Sequence, residues 1–164
     1  MKAVLMSIKP KWCELIESGR KTVELRKTKP KLETPFKVYI YETQGYSAIP
    51  QVYEDGRLIF KGRGSIIGEF VCDCIETVLQ CNSGWVQENA RVTGDEFFDY
   101  LGICRDTHFG YDKKAYGWHI SGLVIYDQPK ELSEFVGLRK TKFGYEPNKI
   151  IRPPQSWMYV EELE

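Results

Sequence analysis

Apolar positions recur along this chain in short blocks, at two different periods. Met1–Ile8 is mostly apolar and brief, which predicts a first strand. Pro10 then suits the opening turn of a helix, Trp12, Leu15 and Ile16 follow at helical spacing, and Gly19 supplies a left-handed stop. A helix of about ten residues is therefore expected there. From Thr22 the period falls to two: Val23 and Leu25 share one face, Thr22, Glu24 and Arg26 the other. Phe36–Tyr41 repeats that alternation. Asp55-Gly56 predicts a hairpin turn between Val52–Glu54 and Arg57–Phe60. Ser65–Val78 reads as one long strand with a bulge or bend at Gly68. Thr93–Leu101 reads as a second helix, with Phe97, Phe98 and Leu101 spaced to pack. Gly117–Tyr126 and Ser156–Glu161 are the closing strands, the last preceded by a stiff Pro153-Pro154 loop.

Five to seven strands with two or three short helices, and no strand–helix–strand alternation, predict an α+β fold: a mixed barrel or curled sheet. No composition shift marks a boundary, so residues 1–164 are expected to form a single domain. Two internal echoes occur. Leu25-Arg-Lys-Thr-Lys29 recurs as Leu138-Arg-Lys-Thr-Lys142, and Phe109-Gly-Tyr111 as Phe143-Gly-Tyr145. Both are shorter than any structural repeat unit.

Composition narrows the class. The 42% hydrophobic and 28% charged content are those of a globular protein. No run approaches the ~18 apolar residues of a membrane span, and no signal-peptide core is seen, so a cytoplasmic protein without membrane contact is expected. Five cysteines, an odd number, are expected to be reduced. The formal net charge is zero but segregated: residues 1–37 hold ten Lys/Arg against four Asp/Glu, and residues 38–100 hold four against ten. A basic segment can attract phosphate even on a neutral molecule.

The densest chemistry lies in Ser18-Gly-Arg-Lys-Thr-Val-Glu-Leu-Arg26, where a helix stops, the chain turns and a strand starts. Lys21 offers a point charge with three donors, and Arg26 a planar fork suited to phosphate. Glu24, on the same strand face as Arg26, can orient it, accept a hydrogen bond or take a proton. The plainer reading of these residues is a solvated strand edge with a Glu24–Arg26 ion pair worth about 0–1 kcal/mol.

Gly19-x-Lys21-x-x-Glu24-x-Arg26, directly after a short Pro-started helix, resembles the signature of the ASCH domain family of the PUA-like superfamily. The Arg152-Pro-Pro-Gln-Ser-Trp157 strand entry is similar to that of bacterial and phage members. The resemblance spans nearly the whole chain, with a hairpin or loop insertion around residues 43–64. It implies a PUA-like curled β-barrel with a cleft beside the first helix, and RNA or a nucleotide-like ligand as partner. Gly19, Lys21, Thr22, Glu24, Arg26 and Lys27 are the ligand-binding residues expected on this basis. A small bacterial branch hydrolyses acetylated cytidine, and other members are linked to RNA cleavage. A hydrolase acting on RNA or a modified nucleoside, with Lys21 and Glu24 catalytic, is therefore the alternative. The amidohydrolase branch carries Thr where this chain has Glu24, which counts against that route; Thr22 is close by, and Glu88 is a loose match to that branch's second acidic residue.

Binding asks for less than catalysis: cations for phosphate, rings for stacking and a groove. Lys27, Lys29 and Lys31 extend the basic strip, and Arg139, Lys140 and Lys142 form a second one beside Phe143 and Tyr145. Lys61-Gly-Arg-Gly64 could wrap a phosphate but reads more simply as a flexible hairpin tip. Cys72-x-Cys74 with Cys81, Cys104, His108 and His119 lacks zinc spacing, so neither metal nor cofactor is expected. No local motif supports Cys13 or Cys104 as a nucleophile paired with His119. A protein-binding adaptor using an exposed edge strand is the third class.

Overall fold

Strand β1 (Lys2–Ile8) is buried on both faces, and the molecule is layered around it. Val4, Met6 and Ile8 enter one hydrophobic cluster, Ala3 and Leu5 another. In the computed structural model, residues 1–52, 58–79, 82–92, 96–97 and 114–163 are described, with backbone alone for 46–52 and 58–60.

The elements following β1 are α1 (Pro10–Glu17), β2 (Val23–Arg26), β3 (Phe36–Glu42), β4 (Tyr46–Val52), β5 (Leu58–Lys61), β6 (Ile66–Cys72), β7 (Ile75–Thr77) and α2 (Ser83–Ala90). Then come β8 (Tyr116–His119), β9 (Ser121–Lys130), a 3₁₀ turn (Leu132–Glu134), β10 (Val136–Thr141), β11 (Gly144–Lys149) and β12 (Trp157–Glu161). A seven-stranded sheet runs β11-β10-β12-β1-β3-β6-β9, a three-stranded sheet runs β2-β8-β7, and β4 pairs with β5.

The α+β class holds, but the expected barrel is not closed. The large sheet ends at β11 and β9, and β2 and β8 belong to a separate sheet laid over it. Strands number ten in these two sheets, more than the five to seven read from the sequence. The larger cluster fills the space between sheets, taking Val38, Ile40 and Phe70 from one and Val23, Leu25 and Trp118 from the other. Helix α1 adds Trp12, Cys13 and Ile16, and α2 adds Val86 and Ala90. The second cluster covers the large sheet's outer face with Phe135 and Ile150 from the C-terminal third.

Strand β1 pairs with β3 in parallel, a crossover that carries α1 and β2. The carboxyl ends of two central strands are thereby brought side by side. The predicted strand over 65–78 breaks at the exposed Asp73 and Cys74, where the chain leaves the large sheet for the small one. Cys74 O accepts from His119 N there, at 3.0 Å. The irregularity expected near Gly68 is present as a register shift between Ile66 and Gly68 in the β6–β9 pairing. Helix α2 was not legible because Ser83–Ala90 buries only Val86 and Ala90 and has no side-chain cap. Of the helix expected over 93–101, and of the Asp55-Gly56 turn, most lies outside the described residues. The strands flanking that turn are β4 and β5, which pair antiparallel. The β10–β11 hairpin was also unforeseen, since its sequence is charged and Gly137 is its one buried position.

Candidate functional site

Helix α1 starts with Pro10 at its first turn and stops when Gly19 takes φ +69°. That value suits a residue without Cβ and lets the chain reverse within two residues. Lys21 N then bonds Leu15 O at 2.9 Å, which turns the Lys21 side chain back under the helix. The side chain is 1% exposed. Its Nζ donates to Ala90 O at 2.7 Å, lies 3.3 Å from Glu24 Oε2 and sits 5.1 Å above the Trp12 ring.

Glu24 is completely buried on β2 and bridges two cations. Its Oε1 is 3.2 Å from Arg26 Nη2, which also donates to Ser7 O at 2.7 Å. A solvated strand edge is therefore not what these residues form. They are an internal chain of charge, Lys21–Glu24–Arg26, running from α2 to the end of β1. Burial pulls the Lys21 ammonium below its ordinary pKa, and the Glu24 carboxylate opposes that pull. Such a chain is costly to assemble and destructive to break, so its members act as a unit.

Arg26 is the member that reaches a cavity. A cleft of about 840 Å³ opens at the carboxyl ends of β1, β2 and β3, walled by Ser7, Arg26, Lys27, Thr28, Thr43 and Gln44. Lys9 and Trp12 close it on the α1 side, and Pro153–Ser156 on the opposite side. Arg26 Nε, although buried, has no hydrogen-bond acceptor among the described residues. Buried donors are rarely left so.

The six residues singled out in the sequence thus divide. Arg26 and Lys27 line the cleft, and Lys21 and Glu24 stand behind Arg26, outside the lining. Gly19 shapes the turn. Thr22 points elsewhere, donating to Asn89 Oδ1 on α2 at 3.2 Å. Glu88 is exposed on α2.

Other residues in the cleft wall or behind it carried no local signal. Thr28 lines the wall and accepts from Trp157 Nε1 at 2.9 Å, a contact across 129 positions of sequence. Glu42 is buried at the end of β3, where desolvation raises its carboxyl pKa and Arg63, 3.1 Å away, lowers it. Arg63 also pairs with Glu17 of α1. A Cβ on Gly62 would meet Thr43 O at 1.9 Å. The Lys61–Gly64 segment is accordingly a packed clamp between α1 and β3, where a flexible tip was expected.

Cys81, Cys104 and His108 lie outside the described residues, and the other cysteine signals disperse. Cys13 is buried on α1 with its thiol pKa raised by desolvation and donates to Ile8 O; Cys72 is buried and Cys74 exposed. His119 faces Glu76 Oε1 at 2.7 Å and stacks on Trp85, with Cys13 no part of that arrangement. Among the described residues no group of three or more potential ligands surrounds a metal position.

No family model matches the chain, and no curated protein matches it. Solved structures do. ASCH from Zymomonas mobilis aligns with 98% of this chain and 88% of its own, at 20% identity and a TM-score of 0.55. A variant of it with tyrosine changed to phenylalanine covers 99% and 92%, with a TM-score of 0.56 and again 20% identity. A serine-to-alanine variant covers 98% and 89%, with 20% identity and a TM-score of 0.54. The chain has the ASCH fold. Within that fold the cleft lies at the carboxyl ends of the parallel pair, beside the first helix. No described helix of this ASCH-fold protein is long and apolar enough to cross a membrane.

Proposed function

We propose that the chain is an ASCH-type protein that binds RNA or a nucleotide-like ligand in the cleft at Arg26 and Lys27. The observation that carries this reading is Arg26 itself. It is a guanidinium whose Nη2 is held by both Glu24 and the Ser7 carbonyl, at the wall of an open cleft, with the Nε donor left over. A pre-oriented fork loses little freedom on meeting phosphate or a base edge. Lys9 and Lys27 add mobile charge, and Thr28, Thr43 and Gln44 add neutral polar groups. Cations lining a groove with hydrogen-bonding groups beside them suit a single-stranded, phosphate-bearing ligand.

Lys21 and Glu24 are the pair that a lysine-based hydrolase would use. Nζ is already engaged by Ala90 O and Glu24, and its side chain is closed to solvent. We therefore assign both residues to holding Arg26. We read the whole chain as one cytoplasmic unit, with the β4–β5 hairpin as an insertion on it.

The test is fluorescence anisotropy with a labelled single-stranded RNA at low and high salt, for wild type and Lys27→Ala. Salt-sensitive binding, weakened at least several-fold by Lys27→Ala, is expected. Absence of binding by wild type at low salt sinks the reading and turns attention to hydrolysis of small acylated nucleosides.

A further inference from the structure

We propose that the β10–β11 hairpin is a second binding arm, which extends the cleft into a track for single-stranded RNA several nucleotides long. This rests on the cleft's being an RNA site and names the kind of RNA it takes. Thr28 belongs to the cleft wall and holds the Trp157 indole. From Trp157 a ladder of half-buried rings leads away: Tyr159 at 5.4 Å, then Tyr145 of β11 at 5.2 Å beyond it. Lys2 lies 3.8 Å from the Tyr145 ring centre. At the hairpin turn Lys142 covers Phe143 at 4.8 Å, and Phe143 is 85% exposed. Nothing in the core accounts for a phenylalanine there.

A cation over a ring is a ready site for a nucleotide. The base takes the cation's place on the ring, and the released ammonium meets the adjoining phosphate. Two such pairs, Lys2 with Tyr145 and Lys142 with Phe143, stand at the far end of the ladder. Residues 136–149 hold four Lys/Arg against the one carboxylate of Glu146, and Lys140 lies opposite Tyr145 in register. That charge fits a polyanion. A protein strand adding to the β11 edge fits less well, because Pro147 lacks an N–H and lysine flanks the edge. Stacking on rings requires unpaired bases, so a duplex would not use the track.

The experiment compares a trinucleotide with a dodecanucleotide of single-stranded RNA, and a duplex of the same length, by anisotropy. The proteins are wild type, the double variant Lys142→Ala/Phe143→Ala and the cleft variant Lys27→Ala. The doubly substituted positions are solvent-exposed, so folding is preserved, and circular dichroism confirms it. The hairpin variant is expected to bind the dodecanucleotide about tenfold more weakly and the trinucleotide as wild type does, while Lys27→Ala weakens both. Equal dodecanucleotide binding by wild type and the hairpin variant overturns the arm and leaves the cleft reading intact. Wild type binding neither single strand removes both. Equal loss of duplex binding in the hairpin variant shows plain charge attraction and overturns the track. Concentration-dependent self-association of wild type that the hairpin variant abolishes would identify Phe143 as a protein contact, and would also overturn it.

Discussion

Leu-Arg-Lys-Thr-Lys occurs twice in this chain, and the two copies fold into opposite circumstances. In the first, Leu25 is fully buried and Arg26 is pinned between Glu24 and a backbone carbonyl. In the second, Leu138 is half-buried and Arg139 is exposed on a hairpin. Some details persist. Each threonine hydroxyl makes a structural bond: Thr28 accepts from Trp157 Nε1, far away in sequence, and Thr141 donates to the nearby Gly144 O. Each final lysine covers a ring, Lys29 over Tyr116 and Lys142 over Phe143. The two middle residues differ, because β2 packs against α2 and the core between the sheets whereas β10 lies near a sheet edge. Local sequence sets what a segment can do; its neighbours decide whether a charge there is structural or available.

The sharpest way to break the comparison is to remove the carboxylate beside each arginine. Glu24→Ala leaves two buried cations without their shared anion, and a loss of about 3–5 kcal/mol in urea unfolding is expected. That is a large part of a domain's usual stability. Glu146→Ala, which removes the carboxylate opposite Arg139 in register, is expected to shift Tm by less than about 2 °C. Equal effects would mean that the first copy is no more embedded than the second.

Next in size is the fork itself. Arg26→Lys keeps the charge but not both contacts of Nη2 and should cost about 1.5–3 kcal/mol. Arg139→Lys should be silent in the same unfolding curves. An Arg26→Lys protein as stable as wild type would show that charge alone suffices at that position.

A smaller effect follows pH. Lys21 has a folded pKa below its unfolded value, so between the two the unfolded chain binds more protons. Stability from this group therefore rises with pH over the range between its folded pKa and 10.5, by less than about 1.4 kcal/mol per pH unit at the steepest. Cys13 and Cys72 have raised thiol pKa values and act in the opposite direction above about 9.0, as Tyr39 and Tyr126 do above about 10.0, so the useful window lies below about 9.0. Wild type should gain on Lys21→Met within it. Parallel curves for the two proteins would show that Lys21 is not held in a desolvated state.

The sequence was most informative where its signals were local. The Pro10 start, the Gly19 stop, the alternation in Val23–Arg26 and the irregularity near Gly68 all depend on a few adjacent residues. Lys21, Glu24 and Arg26 could be singled out together, but not ranked. Which of them reaches the cleft depends on Trp12, Ala90 and Ser7 packing around them, which no local pattern reports. Thr28 and Glu42 were missed for the same reason. The hairpin was missed because hydrophobic periodicity cannot mark strands that bury almost nothing. Whether the curled sheet closes into a barrel was not legible, because nothing local says that β2 and β8 pair with each other in a separate layer.

The smallest expected effect sharpens the comparison most. If both copies meet RNA as proposed, Lys27→Ala and Lys140→Ala should each leave Tm within about 2 °C of wild type, since both residues are exposed. Each should also lower the slope of log affinity against log salt by about 0.7, the share of one phosphate contact on a single strand. The two copies would then be unequal in the fold yet equal in electrostatic binding, because counterion release counts neutralised phosphates and is indifferent to how the lysine is held. A slope that falls for Lys27→Ala alone would confine binding to the cleft and reduce the second copy to solvated surface.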